Sequence, residues 1–147
     1  MVIGELEIGL IMSEKNKTLA RRFYDEILNG RKLDVADEIL SPEYLDHSAA
    51  APGLENFKTY LAMITSVFPD IKVTVEDLLA DDDKVAVRLT VHGTQYGSFR
   101  GFPPAGRQAT WTGMDIIHIS DGRIKERWSE RDFLNMLLQL GHVQYPQ

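Results

Sequence analysis

The chain has 147 residues, 44% of them hydrophobic, which is enough to bury one core and too little for two full domains. Its formal net charge is −6 and its lysines and arginines are scattered, so neither a nucleic-acid surface nor an acidic partner is favoured. It contains no cysteine, which excludes disulfides, thiolate metal sites and a cysteine nucleophile, and fits an expected cytoplasmic location.

The opening stretch from Met1 to Met12 is apolar, yet it lacks a basic lead, carries Glu5 and Glu7, and is too short to cross a bilayer. No membrane partner is expected. Residues 1–12 read as an N-terminal extension that could pair as a strand, ahead of a single domain over 13–147. Ser13 suits the N-cap of a helix running to Asn29, with Leu19, Phe23 and Ile27 on one stripe and Tyr24 beside it. A short helix follows over 33–40, and a third over 54–68 carries Leu54, Phe57, Leu61, Ile64 and Phe68 at helical spacing.

The texture then changes to strands. Residues 71–79 and 84–92 alternate around Asp81-Asp82-Asp83, with Val85, Val87, Leu89 and Val91 facing one way and Arg88 and His92 the other. Residues 93–107, rich in Gly and Pro, read as a long loop of the kind that covers a binding mouth. It is not a phosphate cradle, because no lysine or helix start follows Gly106. A second hairpin spans Thr110 to Ser129 through Ser120-Asp121-Gly122, and a last helix is expected over 130–140.

Asp115 stands in the middle of an apolar strand, where a buried carboxylate is costly unless it is bound or protonated. The turn decides its neighbours. A two-residue Asp121-Gly122 turn would put it with Ile124, Glu126 and Trp128. A type I turn with Gly122 as a left-handed bulge would put it with Lys125, Arg127 and Ser129, and Ser-Asp-Gly suits that turn better. Helices first and sheet afterwards imply an α+β fold, with helices on one face of a curved antiparallel sheet that encloses a pocket.

The ordered set Arg22-Phe23-Tyr24 with Asn29-Gly30, Tyr44-x-Asp46-His47, Pro52-Gly53, Phe68-Pro69-Asp70, Gly93-Thr94, Gly101-x-Pro-Pro-x-Gly106, Trp111-Thr-Gly-x-Asp115, Asp121-Gly-x-Ile124, Glu126-x-Trp128 and Gln139-Leu-Gly141 resembles the SnoaL-like polyketide cyclases, within the nuclear-transport-factor-two-like cone superfamily. The resemblance covers residues 13–141. It implies cofactor-free, metal-free acid–base chemistry, either aldol cyclisation or enolisation, on a small hydrophobic carbonyl compound in an apolar pocket, and a homodimer. It sets Tyr24 and Asp115 where related isomerases hold an oxyanion, and His47 near their base. On that reading Asp115 is a neutral acid donating to a nascent enolate, and His47 removes the α-proton. The family's acid–base pair falls on Asp115 and Ser129, or, three residues on, on His118 and Asp132.

Phe23, Phe57, Leu61, Ile117, Arg127 and Ser129 complete the expected pocket. The candidate site residues also have plainer uses: Tyr24 as core packing, His47 as a loop histidine, Asp115 as an ion-pair partner of Arg127, Ser129 with Asp132 as a helix cap. Two other functions compete. An epoxide-hydrolase-like enzyme would hold water between Asp115 and Arg127 or Arg88; a non-catalytic binding module would keep only the pocket.

Overall fold

A computed structural model describes residues 4–147. Helix α1 (Glu5–Arg22) passes without a break into a π-helical segment, Phe23–Asn29, and α2 (Leu33–Ile39) follows. Strand β1 (Leu40–Asp46) leads through a loop to α3 (Leu54–Val67). Then come β2 (Lys72–Asp81), β3 (Lys84–Thr94), β4 (Gln108–Ser120), β5 (Arg123–Arg131) and α4 (Phe133–Leu140). The sheet is open, in the order β1-β5-β4-β3-β2. Its pairings are antiparallel except β1 with β5, which is parallel, so the sheet is mixed rather than purely antiparallel. No helix of the described residues is long and apolar enough to cross a membrane.

The expected start of the chain is corrected. Residues 5–12 belong to α1, and Ser13 lies inside that helix rather than capping it. Glu5, Leu6, Glu7, Leu10 and Met12 are good helix formers and no proline interrupts residues 5–12, so helix propensity carries α1 back to Glu5. Of the segment 1–12 expected to pair as a strand, residues 1–3 lie outside the described residues. At the other end β5 runs to Arg131, so α4 begins at Phe133 and not at Glu130.

The core forms where the alternating inward residues of the sheet meet the helices. Val85, Val87, Leu89 and Val91 of β3 and Trp111, Ile117 and Ile119 of β4 are buried against Phe23, Tyr24, Ile27, Phe57 and Phe68. Phe23 stacks on Phe57 at 5.8 Å, and Tyr44 meets Phe57 edge-on at 4.9 Å. The π-helical turn ends at Asn29, whose amide exchanges two hydrogen bonds with the backbone of Val73, 2.8 and 2.7 Å. That pair fastens the helical layer to β2.

The turn of the β4–β5 hairpin differs from expectation, and the face does not. Asp121 and Gly122 both have positive φ, 54° and 72°, and Ser120 pairs with Arg123, a two-residue turn. By itself this would turn Asp115 toward Glu126. A bulge between the pairs Ile119–Ile124 and His118–Glu126 adds Lys125 to β5 and restores the other parity. Asp115 therefore lies opposite Ser129, and Ile117 opposite Arg127.

Candidate functional site

Asp115 is 2% exposed, and both its carboxylate oxygens are taken. The Tyr24 hydroxyl donates to Oδ2 at 2.5 Å, and Arg127 Nη1 donates to the same oxygen at 3.1 Å. Arg131 donates from Nη1 to Oδ1 at 2.5 Å and from Nη2 to Oδ2 at 3.2 Å, a two-pronged grip. Local sequence makes this possible. A side chain at Gly113, the cross-strand partner of Arg131, would put its Cβ 2.6 Å from both Arg131 Cδ and the Glu130 carbonyl oxygen. Glycine there opens the lane along which Arg131 reaches Asp115.

Arg127 joins this carboxylate to a second one. Its Nε donates to Asp46 Oδ2 at 2.9 Å, and Asp46 also accepts from the Tyr44 hydroxyl at 2.7 Å and the Ser48 backbone N–H at 2.9 Å. Asp46 ends β1, which runs parallel to β5 with Asp46 paired to Arg127. The guanidinium carbon of Arg127 also lies 4.8 Å from the Phe23 ring centre. The result is a buried chain from Arg131 through Asp115 and Arg127 to Asp46.

This network corrects the expectation of a neutral Asp115. Burial alone pushes the carboxyl upward, but the Arg127 charge, the hydrogen bonds and charge of Arg131 and the Tyr24 hydroxyl together hold it below the usual carboxylate range. The carboxylate is ionised at neutral pH. Burial, followed by the Asp115 charge, raises the Tyr24 phenol well above its ordinary value, so its proton stays to be donated. Arg127 is opposed by desolvation, yet Asp46 and Asp115 outweigh it and raise its pKa further.

A cavity of about 220 Å³ lies between α3 and the helix-covered face of the sheet. Its apolar walls include Leu28, Leu61, Ile64, Phe68, Val91, Phe99, Trp111 and Phe133. Its polar groups are His47, Ser48, Tyr60, Thr65, Arg100, Arg127, Ser129 and Arg131, with no Asp or Glu among the lining residues. Of the expected pocket, His47, Leu61, Arg127 and Ser129 line this cavity, whereas Phe23, Tyr24, Phe57, Asp115 and Ile117 do not. Those five are buried behind its wall, because the arginines of β5 lie across Asp115 and the aromatic residues stack on one another.

Ser129 is not a helix cap. The cap of α4 is Asp132, which accepts from the Asn135 backbone N–H at 3.0 Å. The Ser129 hydroxyl is buried and has no hydrogen-bond partner among the described residues. A buried hydroxyl left unpaired is costly, and here it lies in a cavity wall beside two guanidinium groups.

His47 is held on two sides. Its Nε2 lies 2.8 Å from Glu126 Oε1, and its ring stacks on Trp128 at 5.1 Å with 12° between planes. The pairing with Glu126 leaves Nδ1 as its other proton-exchanging atom. His118, by contrast, bonds Asp83 at 2.8 Å, and Arg88 pairs with Asp77 at 2.6 Å, both remote from the cavity lining. The site expected of an epoxide-hydrolase-like enzyme is therefore not assembled: Asp115 is saturated and Arg88 faces away. Among the described residues no group of three His, Asp or Glu side chains is placed to hold a metal ion.

Arg131, Arg100 and Tyr60 are the site residues that sequence reasoning missed. The first had a signal: Arg127-x-Ser129-x-Arg131 alternates on one strand face, opposite a glycine and an aspartate of the neighbouring strand.

Comparison with known proteins is consistent with this geometry. The family described as SnoaL-like polyketide cyclase matches residues 18–140. The aklanonic acid methyl ester cyclase DnrD of Streptomyces peucetius is 27% identical over 129 residues, covering 84% of this chain and 88% of that protein. The nogalonic acid methyl ester cyclase of Streptomyces nogalater is 24% identical over 119 residues, covering 77% and 88%. Among solved structures, TsrD from Streptomyces laurentii superposes with a TM-score of 0.80 at 30% identity, covering 88% of this chain and 97% of that one.

Proposed function

The chain belongs to the SnoaL-like polyketide cyclase family, and from that premise we propose that its cavity closes a ring in a polyketide by an intramolecular aldol reaction needing no cofactor. The relatives named as methyl ester cyclases support a hydrophobic carbonyl compound as substrate. His47, oriented through Nε2 by Glu126, removes a proton from a carbon next to a carbonyl. The negative charge that develops on the carbonyl oxygen is received by the Ser129 hydroxyl and by guanidinium N–H groups of Arg131 and Arg127. The enolate carbon then bonds to a second carbonyl carbon, whose oxygen becomes an alkoxide and takes the proton back from the imidazolium. Atoms balance within one substrate molecule.

Asp115 and Tyr24 act one layer back in this scheme, fixing the two arginines instead of donating to the substrate. The observation that carries it is the orphaned Ser129 hydroxyl in a cavity wall that holds three guanidiniums, those of Arg100, Arg127 and Arg131, and no carboxylate. A homodimer would use the outer face of the sheet, where Met114, Ile116 and Trp128 remain 63%, 39% and 38% exposed.

The test is α-proton exchange. With an aromatic β-keto ester in deuterated water, the wild-type protein should accelerate loss of the methylene proton signal. His47→Ala should slow the catalysed exchange by about two orders of magnitude or more. A wild-type protein that exchanges nothing, though it binds the ester, would leave a binding module in place of an enzyme.

A further inference from the structure

Building on the cyclase reading, we infer that Tyr60 is a further catalytic residue, whose hydroxyl donates a hydrogen bond to the oxygen of the carbonyl that the enolate attacks. Ring closure develops negative charge on two oxygens in turn, and the sheet wall, with Ser129, Arg131 and Arg127, receives the first. The second oxygen sits on a different carbon. As the carbon–carbon bond forms, the π electrons of that carbonyl move onto its oxygen, and an alkoxide set against an apolar wall is costly unless a donor meets it there. The wall opposite the sheet is α3, which contributes Tyr60, Leu61, Ile64 and Thr65 to the cavity lining. Leu61 and Ile64 have nothing to donate, and the Thr65 hydroxyl is engaged within its own helix, by the carbonyls of Leu61 and Ala62 at 2.9 and 3.1 Å. Tyr60 is the donor that remains.

The neighbouring aromatic residues support this independently. Two other tyrosines reach the buried ionic chain, and both are committed to carboxylates, Tyr24 to Asp115 at 2.5 Å and Tyr44 to Asp46 at 2.7 Å. The Tyr60 hydroxyl has no hydrogen-bond partner among the described residues, although Tyr60 lines the same cavity as Arg127 and Arg131. Its ring is placed by packing instead: it lies 6.5 Å from the ring centre of Phe57, one helical turn earlier, and Phe57 is itself fixed by Phe23 and Tyr44. Burial raises the Tyr60 phenol above its ordinary value, against the opposing charges of Arg127, Arg131 and Arg100, so the phenol keeps its proton at neutral pH. It therefore acts as a donor, and the proton that completes the new hydroxyl still comes from the His47 imidazolium.

Methyl 2-(3-oxobutyl)phenylacetate tests this, because one molecule carries both an ester-activated methylene and a ketone placed to close a six-membered ring on it. Proton spectra of this probe with the full chain in deuterated water read exchange at the methylene and ring closure side by side. Tyr60→Phe removes one oxygen to which no protein group is bonded, so it should melt as wild type does. Its ratio of closure to exchange should nevertheless fall about a hundredfold, as for loss of an oxyanion donor, because the enolate forms and then returns to the ester. 3-Fluorotyrosine at the same position keeps the O–H and should hold the ratio near the wild-type value. An unchanged ratio in Tyr60→Phe, whether exchange and closure fall together or not at all, or a ratio lost with 3-fluorotyrosine as well, overturns the inference and leaves the cyclase reading standing. Wild-type protein that exchanges the methylene and closes no ring overturns the cyclase reading, and the inference with it.

Discussion

Replacing Arg127 by Met removes the cation between two buried carboxylates while keeping an unbranched side chain of similar reach. The Arg127 side chain is 4% exposed, and those of Asp46 and Asp115 are 0% exposed. Breaking a buried pair by removing one partner costs about 3–5 kcal/mol, because the remaining charge is left uncompensated. Against a total stability of roughly 5–15 kcal/mol for a domain, that is a large fraction. At about 2–4 °C per kcal/mol for a chain of this size, the melting temperature should fall by roughly 10 °C.

The loss should also depend on pH, with a definite sign. Asp115 is held below the usual carboxylate range when folded, so its ionisation stabilises the fold above about pH 4, the unfolded value. That contribution disappears as pH falls through the lower folded value. In Arg127→Met one of the groups depressing the carboxyl is gone, so the variant has less of this stabilisation to lose. The gap between variant and wild type should therefore be widest near pH 7 and shrink as pH falls below about 4. Urea unfolding at a series of pH values measures it. A loss under about 1 kcal/mol at neutrality, or one that is the same at every pH, would refute the idea of a buried ionic chain.

Ser129→Ala should leave stability unchanged or slightly higher, since it deletes a buried hydroxyl without a partner, while slowing ring closure about tenfold or more; unfolding and turnover measured together separate the two effects. Gly113→Ala should destabilise by about 1–3 kcal/mol and lower turnover, because its Cβ would stand 2.6 Å from the Glu130 carbonyl oxygen and from Arg131 Cδ. An alanine variant that melts and turns over like wild type would mean that Arg131 does not need this lane.

The fold was legible wherever a periodic pattern was strong. The alternation from Val85 to Val91 and the helical spacing from Leu54 to Phe68 correspond to β3 and α3. Asp115 announced itself as an acid in an apolar strand, and its face was read correctly although the turn was not, because the bulge at Lys125 compensates the two-residue turn. Burial of Ile124 and Arg127 three apart, with Lys125 exposed, is the trace of that bulge, and it appears only when side-chain environments are known. The ionisation state of Asp115 is not legible in the sequence because it depends on Arg127 and Arg131 acting together, and Arg131, sixteen residues away, reaches the carboxylate only past Gly113. Strand β1 was not anticipated, since Pro42 and Glu43 break any alternation and its pairing partner is the C-terminal strand. Which side of α3 faces the cavity, and that Arg100 sits at the corner of a tight turn, follow from packing and backbone angles that no spacing rule encodes.

The cavity's polar end rests on Asp115 being an anion that clamps two arginines. Infrared difference spectra of wild type against Asp115→Asn, recorded from neutral to acid pH, address this most directly. The carbonyl stretch of a protonated carboxyl should be missing from the difference at pH 7 and appear only in strong acid, below the ordinary carboxylate range. That band present at neutrality and lost in the asparagine variant would mean a neutral acid at the centre of the site, and would contradict the arrangement described.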